Sequence, residues 1–265
     1  MMKIFVMILL TIMTAVLGSE GYDRSTIQFN PKGSILQLEY ARTAVSKKGG
    51  SVAAACCSDG VIILAKKGMK SKIKKSTREK FHFVDKHICI AVSGLLFESK
   101  VLINLAKNEC RKYKSIHMQR IPLELLCDHL ANTLHVLTRD ARFRPLGVSM
   151  IVCGVDDVLG CQVYTLDPEG SYAAWKSASI GKDSDKLMPA FAKLYGDQSD
   201  SIKNVNSAIP LFIKSFREIS MRDTSDSDST SAYASVIEDD ADAGRPLPPS
   251  SQYTLEIEVI IFNIY

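Results

Sequence analysis

Residues 21–41 read GYDRSTIQFNPKGSILQLEYA, and this stretch has the most regular local signals in the chain. Ser34 and Gln37 fit an S-x-x-Q capping box, and Gly33 stands directly before it. Apolar residues then recur at helical spacing as far as Gly49, a typical helix stop; they are Leu38, Ala41 and Val45. The stretch therefore predicts that the chain enters a folded domain through a capped helix.

Beyond Gly49, apolar runs alternate with turn signals. The runs 51–57 and 61–65 flank Ser58-Asp59-Gly60, which predicts a hairpin, and the residues 167–170 predict a second turn. Further strands are predicted at 86–92, 147–155, 161–166, 171–176 and 253–262, and helices at 98–113, 122–137, 184–195 and 202–219. Without βαβ alternation, this order predicts an α+β fold with antiparallel sheets.

The net charge of +4 hides two runs of opposite sign. Residues 66–80 hold eight Lys or Arg and one Glu, whereas residues 223–242 hold seven Asp or Glu and no basic residue. The basic run suggests either a nuclear-localisation or nucleic-acid patch, or a solvated loop; we favour the loop because no aromatic residues are interleaved. Residues 223–252 are rich in Ser, Asp and Pro, so we predict a disordered insert before a final strand in 253–265.

Two features bear on the compartment. The seven cysteines are odd in number and lie mostly in apolar runs, which favours reduced core thiols and a reducing compartment. Residues 1–20 form an apolar leader with a basic Lys3 and small residues at Val16 and Gly18, as in an export signal. Its apolar run is too short to span a membrane comfortably. An alternative is a start at Met13, or an upstream misreading of the gene.

Motifs that carry chemistry are missing from the sequence. It has no glycine-rich phosphate loop, no HExxH and no GxSxG, and its five histidines are scattered. We therefore predict no metal and no cofactor. From the residues alone, the interpretation stops at an α+β domain without a visible active site.

Several motifs follow one another in order along the chain. The N-terminal signature has Tyr22-Asp23-Arg24, a turn containing Pro31 and Gly33, and then Gln37, Glu39 and Tyr40. It is followed by the Asp59-Gly60 hairpin, AVSGLL (91–96), RPLGVSM (144–150), LDPEGSYAAWK (166–176) and SIG (179–181). This ordered set strongly resembles the proteasome alpha-type subunits. The resemblance covers about residues 21–219, and we place the alpha-type domain at 21–222.

The resemblance implies an N-terminal nucleophile hydrolase fold, a four-layer αββα sandwich with two antiparallel sheets between helix layers. It also implies a place in the outer alpha ring of the 20S proteasome, beside other alpha subunits and the beta ring, with unfolded substrates passing through. In the family, residues of the N-terminal signature set the geometry of the gate. No nucleic acid or membrane partner is expected.

The resemblance implies further that the chain is not a peptidase. Catalytic beta-type relatives use a threonine freed as the first residue, whose amino group is the base. That position aligns with Gly50, the partner acid aligns with Lys66, and only the lysine is kept, at Lys80. In the family, the segment containing Lys80 lines a pocket between alpha subunits that receives C-terminal tails of regulatory particles.

The resemblance and the leader point to different compartments. Proteasome subunits work in the cytoplasm and nucleus, which agrees with the cysteines, so we discount the leader. Two alternatives stay open: an exported or membrane-tethered alpha-like paralogue, and a free-standing N-terminal hydrolase with a nucleophile such as Ser51. The position within the seven-membered ring stays undetermined.

Overall fold

The computed structural model describes residues 22–23, 25–67, 80–197, 202, 204–222, 234–237 and 256–263; at residue 67 and from 221 onward only the backbone is described. The helices in these ranges are α1 (Leu36–Lys48), α2 (Leu96–His117), α3 (Leu123–Arg139), α4 (Ser184–Asp197) and α5 (Val205–Arg222). The strands are β1 (Val52–Cys56), β2 (Gly60–Lys67), β3 (Phe81–Asp85), β4 (Ile88–Gly94), β5 (Val148–Asp156), β6 (Gly160–Leu166), β7 (Tyr172–Trp175), β8 (Ser177–Ile180), β9 (Ala234–Ile237) and β10 (Glu256–Asn263).

The strands form two five-stranded sheets, in the orders β8-β1-β2-β10-β9 and β3-β4-β5-β6-β7. Neighbouring strands are antiparallel, except that β9 and β10 run parallel. The predicted hairpin is confirmed: Cys56 pairs with Val61, and the Cys57 amide donates to the Gly60 carbonyl at 2.8 Å. The turn predicted at 167–170 is also present, closed by the Gly170 amide on the Asp167 carbonyl at 3.0 Å.

Four interior strands, β1, β2, β4 and β5, are apolar on both faces because each sheet is covered on both sides. Along β5, Ile151 and Cys153 pack against the other sheet, whereas Met150 and Val152 pack against α2 and α3. The outer face of the first sheet packs in the same way against α4 and α5. The layers are therefore helix, sheet, sheet, helix, which confirms the predicted αββα sandwich and α+β class.

The contact between α4 and α5 is built on buried phenylalanines. The rings of Phe191 and Phe212 meet edge to face, with centroids 5.0 Å apart, and both side chains are completely buried, as is Phe216. Burying one such side chain contributes roughly 1.5–3 kcal/mol, so this cluster is a main source of stability for the outer layer.

The capping box predicted at the start of α1 is wrong. The helix begins at Leu36, its N-cap residue is Ile35, and no side chain caps it. Ser34 pairs instead with Asn30: the Ser34 amide donates to Asn30 Oδ1, and Asn30 Nδ2 donates to Ser34 Oγ, each at 2.9 Å. The serine is engaged by the preceding turn, so it does not cap the helix.

Gly49 does follow the last residue of α1, but not as a left-handed cap. Its φ of −72° and ψ of 138° are extended, which any residue could adopt. A Cβ atom at this position would collide with Ser93 Oγ and the Val45 carbonyl, and would lie 2.6 Å from the Gly94 nitrogen. Glycine fits here because α1 ends directly against β4.

The acidic segment 223–252 contains one described strand, β9, where the sequence predicts disorder. β9 pairs with β10 in the register Val236 to Val259, at the edge of the first sheet. Its Ala-Ser-Val-Ile sequence includes two β-branched residues, which suit a strand beside an existing edge. The other residues of this segment, like the leader at 1–20, lie outside the described residues. β10 itself falls within the predicted final strand.

The described thiols belong mostly to the core. Five of the seven cysteines are buried, while Cys56 and Cys161 are half-buried, and all seven are free. Burial raises the pKa of the Cys56, Cys57 and Cys110 thiols to about 12, which makes them poor nucleophiles at neutral pH. Among the described helices, none combines the length and apolar character that crossing a bilayer requires.

Candidate functional site

The N-terminal signature is tied to α1 by a side-chain contact. Gln37, on the first turn of α1, donates from Nε2 to the Asp23 carbonyl, and both Tyr22 and Asp23 are half-buried. Arg24 lies outside the described residues. The structure therefore brings Asp23 and Gln37 together, although the sequence separates them by 14 positions.

Asn30 organises the turn that follows. Its Oδ1 atom accepts from the amides of Lys32 and Ser34 at 3.0 and 2.9 Å, and the Gly33 amide donates to its carbonyl at 2.9 Å. Gly33 adopts a φ of 81°, which favours glycine, and Pro31 lies exposed at the tip. Asn30 is not among the predicted site residues, although an asparagine ahead of a proline turn is a sequence signal for such a role.

Glu39 and Tyr40 lie elsewhere on α1. Both are exposed, with half of the Tyr40 surface accessible to solvent, and the Glu39 carbonyl accepts from Thr43 Oγ1 within the helix. The signature is therefore split between a part that anchors the entering chain and a part that faces outward from α1.

A second cluster surrounds Gly50, between α1 and β1. The ammonium of Lys80 donates to the Lys66 carbonyl, and a Cβ atom placed on Gly50 would collide with that ammonium. The same Cβ would lie 3.2 Å from Lys80 Cε and 3.4 Å from the Lys66 carbonyl oxygen. The Lys80 side chain thus occupies the volume that a side chain at position 50 would need.

The side chain of Lys66 points to a different partner. Its ammonium donates to the carbonyl of Ser220 in the last turn of α5, and its backbone amide donates to the Ser51 carbonyl at 2.9 Å. Carbonyls at a helix C-terminus lack intrahelical donors and carry partial negative charge, so they suit an ammonium group. Lys66 thereby joins β2 to α5.

Ser51 and Asp183 complete the cluster from the other side. Ser51 Oγ donates to Asp183 Oδ2, and the two residues are only 1% and 2% exposed. The Asp183 carbonyl accepts from the amides of Lys186 and Leu187, at the beginning of α4. The two ammonium groups of this cluster each bond a backbone carbonyl, which ties neighbouring segments of the chain together. The serine hydroxyl is buried and bonds a carboxylate.

Two further motifs of the resemblance meet at Glu98. This buried side chain accepts from Arg144 through Oε1 and from the Gly147 amide through Oε2, the latter at 3.0 Å. The Leu95 amide also donates to the Gly147 carbonyl at 2.9 Å. The segments 91–96 and 144–150 are therefore adjoining parts of one structural unit, held by a glutamate that the sequence analysis did not single out.

Two histidines make contacts outside these clusters. Of the basic run, residues 68–79 lie outside the described part of the chain. His87 is buried with Nε2 3.0 Å from the Ile121 carbonyl, and His129 lies 3.2 Å from Glu109 at the surface. These histidines serve separate structural contacts.

Comparison with known proteins places this chain in a family. A family model described as "Proteasome subunit" matches residues 46–234. Proteasome subunit alpha type-4-1 of Oryza sativa subsp. indica is 31% identical over 205 residues, 77% of this chain and 82% of the relative. Alpha type-4-A of Arabidopsis thaliana is 30% identical over the same shares, and alpha type-3 of Saccharomyces cerevisiae is 34% identical over 200 residues, 75% of this chain and 76% of the relative.

The similarity extends over most of the described domain, and the sandwich of helix and sheet layers agrees with it. The family match includes the Gly50 cluster and the Glu98 unit. The chain belongs to the proteasome subunit family, among its alpha-type subunits.

Proposed function

We propose that the chain is a non-catalytic structural and gating subunit in the outer alpha ring of the 20S proteasome core. In this role it neighbours other alpha subunits and contacts the beta ring. It controls the entry of unfolded substrates and receives the C-terminal tails of regulatory particles during ubiquitin-dependent degradation. It works in the cytoplasm and nucleus, without a nucleic acid or membrane partner.

The proposal that the chain is non-catalytic rests on the position of the Lys80 ammonium beside Gly50. The position that aligns with the catalytic threonine has no side chain, and the Lys80 ammonium fills its place. The position of the partner acid holds Lys66, whose ammonium bonds Ser220 in α5. The hydroxyl of Ser51 is buried and bonded to Asp183, which argues against Ser51 as a nucleophile.

The gating part is supported by the contact between Gln37 and Asp23. The segment that precedes α1 is held to the helix by this bond and by the Asn30 turn. Because the segment before α1 is held in one direction, the residues that precede it would reach the pore at a defined position. We assign this role to the signature residues Tyr22, Asp23, Arg24, Pro31, Gly33, Gln37, Glu39 and Tyr40.

The docking part rests on Lys80. A lysine carries a compact positive charge that pairs well with a terminal carboxylate, and the pairing strengthens where water is excluded. Lys80 lies directly before β3 and is half-buried in the single chain, so a partner can still reach part of its side chain. A neighbouring alpha subunit would then shield the pair from solvent. We propose that it pairs with the tail of a regulatory particle at the border with a neighbouring alpha subunit.

Native mass spectrometry of proteasome cores purified through a tag on this chain tests the proposal. We expect the chain in a complex with alpha and beta subunits, with an N-terminus that lacks the apolar leader. The isolated full chain should not hydrolyse fluorogenic peptides. A mature chain that begins at Ser51 and is active alone would overturn the proposal, and a secreted chain outside any core would favour an exported paralogue.

A further inference from the structure

The volume beside Gly50 is filled by the tip of another residue's side chain. An ideal Cβ at position 50 would collide with Lys80 Nζ and would lie 3.2 Å from Lys80 Cε. The ammonium is held there by its bond to the Lys66 carbonyl. Lys80 therefore points inward, toward the beginning of β1.

The backbone of Gly50 is fixed on its other side. Its carbonyl accepts from Ser93 Oγ at 2.9 Å, and Gly181, with a φ of 94°, packs so closely that a Cβ there would collide with the same carbonyl. Gly50 itself is not among the glycines with positive φ, so alanine fits its backbone conformation. If a side chain is added at Gly50, the group that moves is thus the flexible end of Lys80.

We propose that Gly50 is a positioning residue that holds the Lys80 ammonium in this inward position. The absence of a side chain at position 50 stabilises one arrangement of Lys80, because the lysine tip gains a carbonyl partner in a partly shielded site. A Cβ atom at position 50 would collide with the ammonium, so we expect a side chain there to move it out of this position and away from the Lys66 carbonyl. Gly50 thereby controls how much of the time Lys80 is available to an external partner.

This inference deepens the docking role proposed above and, in one consequence, rests on it. A tail carboxylate pairs with the outward arrangement of Lys80, so the observed affinity is reduced by the fraction of time that Lys80 points inward. If the ammonium is permanently displaced from the inward position, the affinity for the tail should no longer be reduced in this way. Gly50→Ala is then expected to strengthen tail binding, opposite to Lys80→Ala.

The first experiment follows the position of Lys80 in the purified full chain and needs no docking partner. The chain is treated with an acetylating N-hydroxysuccinimide ester, and acetylation of Lys80 is quantified by mass spectrometry, relative to the chain unfolded in urea. We expect Gly50→Ala to raise the rate by roughly threefold or more. Gly196→Ala is the matched control, since a Cβ there meets nothing within 4 Å. Thermal melting checks that each variant is folded.

The second experiment uses assembled cores that contain these variants. The probe is a fluorescent peptide that copies the C-terminus of a subunit of the co-purified regulatory particle, compared with its C-terminally amidated form. We expect Gly50→Ala cores to bind the free-carboxylate peptide more tightly, by a factor similar to the rise in acetylation. The amidated peptide should show no gain.

The outcomes separate the inference from the proposed function. An unchanged acetylation rate in a folded Gly50→Ala chain overturns the positioning role. A raised rate with unchanged peptide affinity, in cores where Lys80→Ala weakens binding, overturns the control of docking. If Lys80→Ala itself leaves peptide binding intact, the docking function fails, while the acetylation result still decides where Gly50 holds Lys80.

Discussion

Lys66 donates a hydrogen bond from its ammonium to the carbonyl of Ser220, which joins the end of β2 to the last turn of α5. The two residues are 154 positions apart in the chain. Lys66 aligns with the catalytic acid of beta-type relatives, and its positive charge has the wrong sign for that role. At a helix C-terminus the same charge is stabilising. The substitution of acid by lysine thus has a structural reason in this fold.

We predict that Lys66→Met lowers the free energy of unfolding by about 1–3 kcal/mol, because a charged hydrogen bond is lost in a partly buried site. Lys66→Asp should cost more, since it brings a negative charge to the negative end of α5. Urea unfolding of the full chain measures both, with Lys182→Met at an exposed position as the control. Equal stability of Lys66→Asp and Lys66→Met would contradict the helix contact.

A second prediction concerns Glu98, which accepts one bond from the buried Gly147 amide and another from the exposed Arg144 side chain. Glu98→Ala leaves the Gly147 amide without its acceptor and should lower the free energy of unfolding by about 1–3 kcal/mol. Arg144→Ala should cost less, about 1 kcal/mol or below, since 58% of the Arg144 side chain is exposed to solvent. Chemical unfolding of the two variants decides the order. A larger loss from Arg144→Ala would mean that the buried Glu98 carboxylate, left without its cation, costs more than the loss of both of its bonds.

The sequence predicts the layers of this fold well because its signals are local. Apolar runs that lack alternation, such as 147–155, indicate strands covered on both faces, and Ser58-Asp59-Gly60 indicates its hairpin directly. The polar clusters could not be predicted in this way. Ser220 and Glu98 find their partners across the chain, so neither has a neighbour in sequence that marks its role.

Local rules also fail where a distant or competing partner is stronger. Ser34 and Gln37 have the spacing of a capping box, yet Asn30 binds the serine and the Asp23 carbonyl binds the glutamine. Gly49 lies where a helix-ending glycine is expected, but glycine is needed there because β4 packs so closely against it. In each case the sequence marks the residue, but its physical role comes from a contact that only the fold creates.

The raised pKa of the half-buried Cys56 thiol predicts a loss of stability at alkaline pH. Burial, with a smaller effect from Cys161, raises the pKa of Cys56 to about 12 in the folded chain, whereas an unfolded thiol titrates near 8.5. Below that pH the thiol is protonated in both states and its contribution is fully present. Between about 8.5 and 12 only the unfolded state loses the proton, so stability falls, by at most about 1.4 kcal/mol per pH unit for this group.

Urea unfolding at pH 8, 9 and 10 with a reducing agent measures this effect. Cys56→Ala should make the fall between pH 9 and 10 less steep, because one of the groups that titrates is gone. Ser58→Ala, at a nearby exposed position, is the control and should leave the slope unchanged. An identical slope in Cys56→Ala and the unmodified chain would exclude Cys56 as a source of the alkaline loss.

The proposed gate role predicts a functional change from the residue that anchors the N-terminal segment. Gln37→Ala removes the bond to the Asp23 carbonyl and should alter activator-stimulated peptide hydrolysis by cores while leaving ring assembly intact. Tyr22→Ala and Asp23→Ala should also alter the stimulation, through loss of a signature side chain, although the Asp23 backbone carbonyl that accepts from Gln37 is kept. Gln28→Ala, an exposed glutamine of the same segment, is the matched control. Unchanged stimulation in all three variants would remove the gate role from this position of the ring.

The proposed docking role makes Lys80 the residue whose loss should weaken binding of a regulatory particle. Lys80→Ala is expected to cost about 1–3 kcal/mol per site, since a charged hydrogen bond to a carboxylate is lost in a partly shielded place. Lys75→Ala removes the same charge from the basic run but lies outside the matched position, so it should cost much less. Titration of cores with the regulatory particle, followed through stimulated peptide hydrolysis, measures both.

Salt separates the two ways in which Lys80 could act. A specific pair in a shielded pocket keeps most of its effect at higher ionic strength, whereas a diffuse basic field is screened beyond a Debye length of about 8 Å at physiological salt. The gap between Lys80→Ala and Lys75→Ala should therefore persist when the titration is repeated at raised salt. If both variants lose a small, equal amount and salt abolishes it, the lysines act only as a field, and Lys80 is not a docking residue.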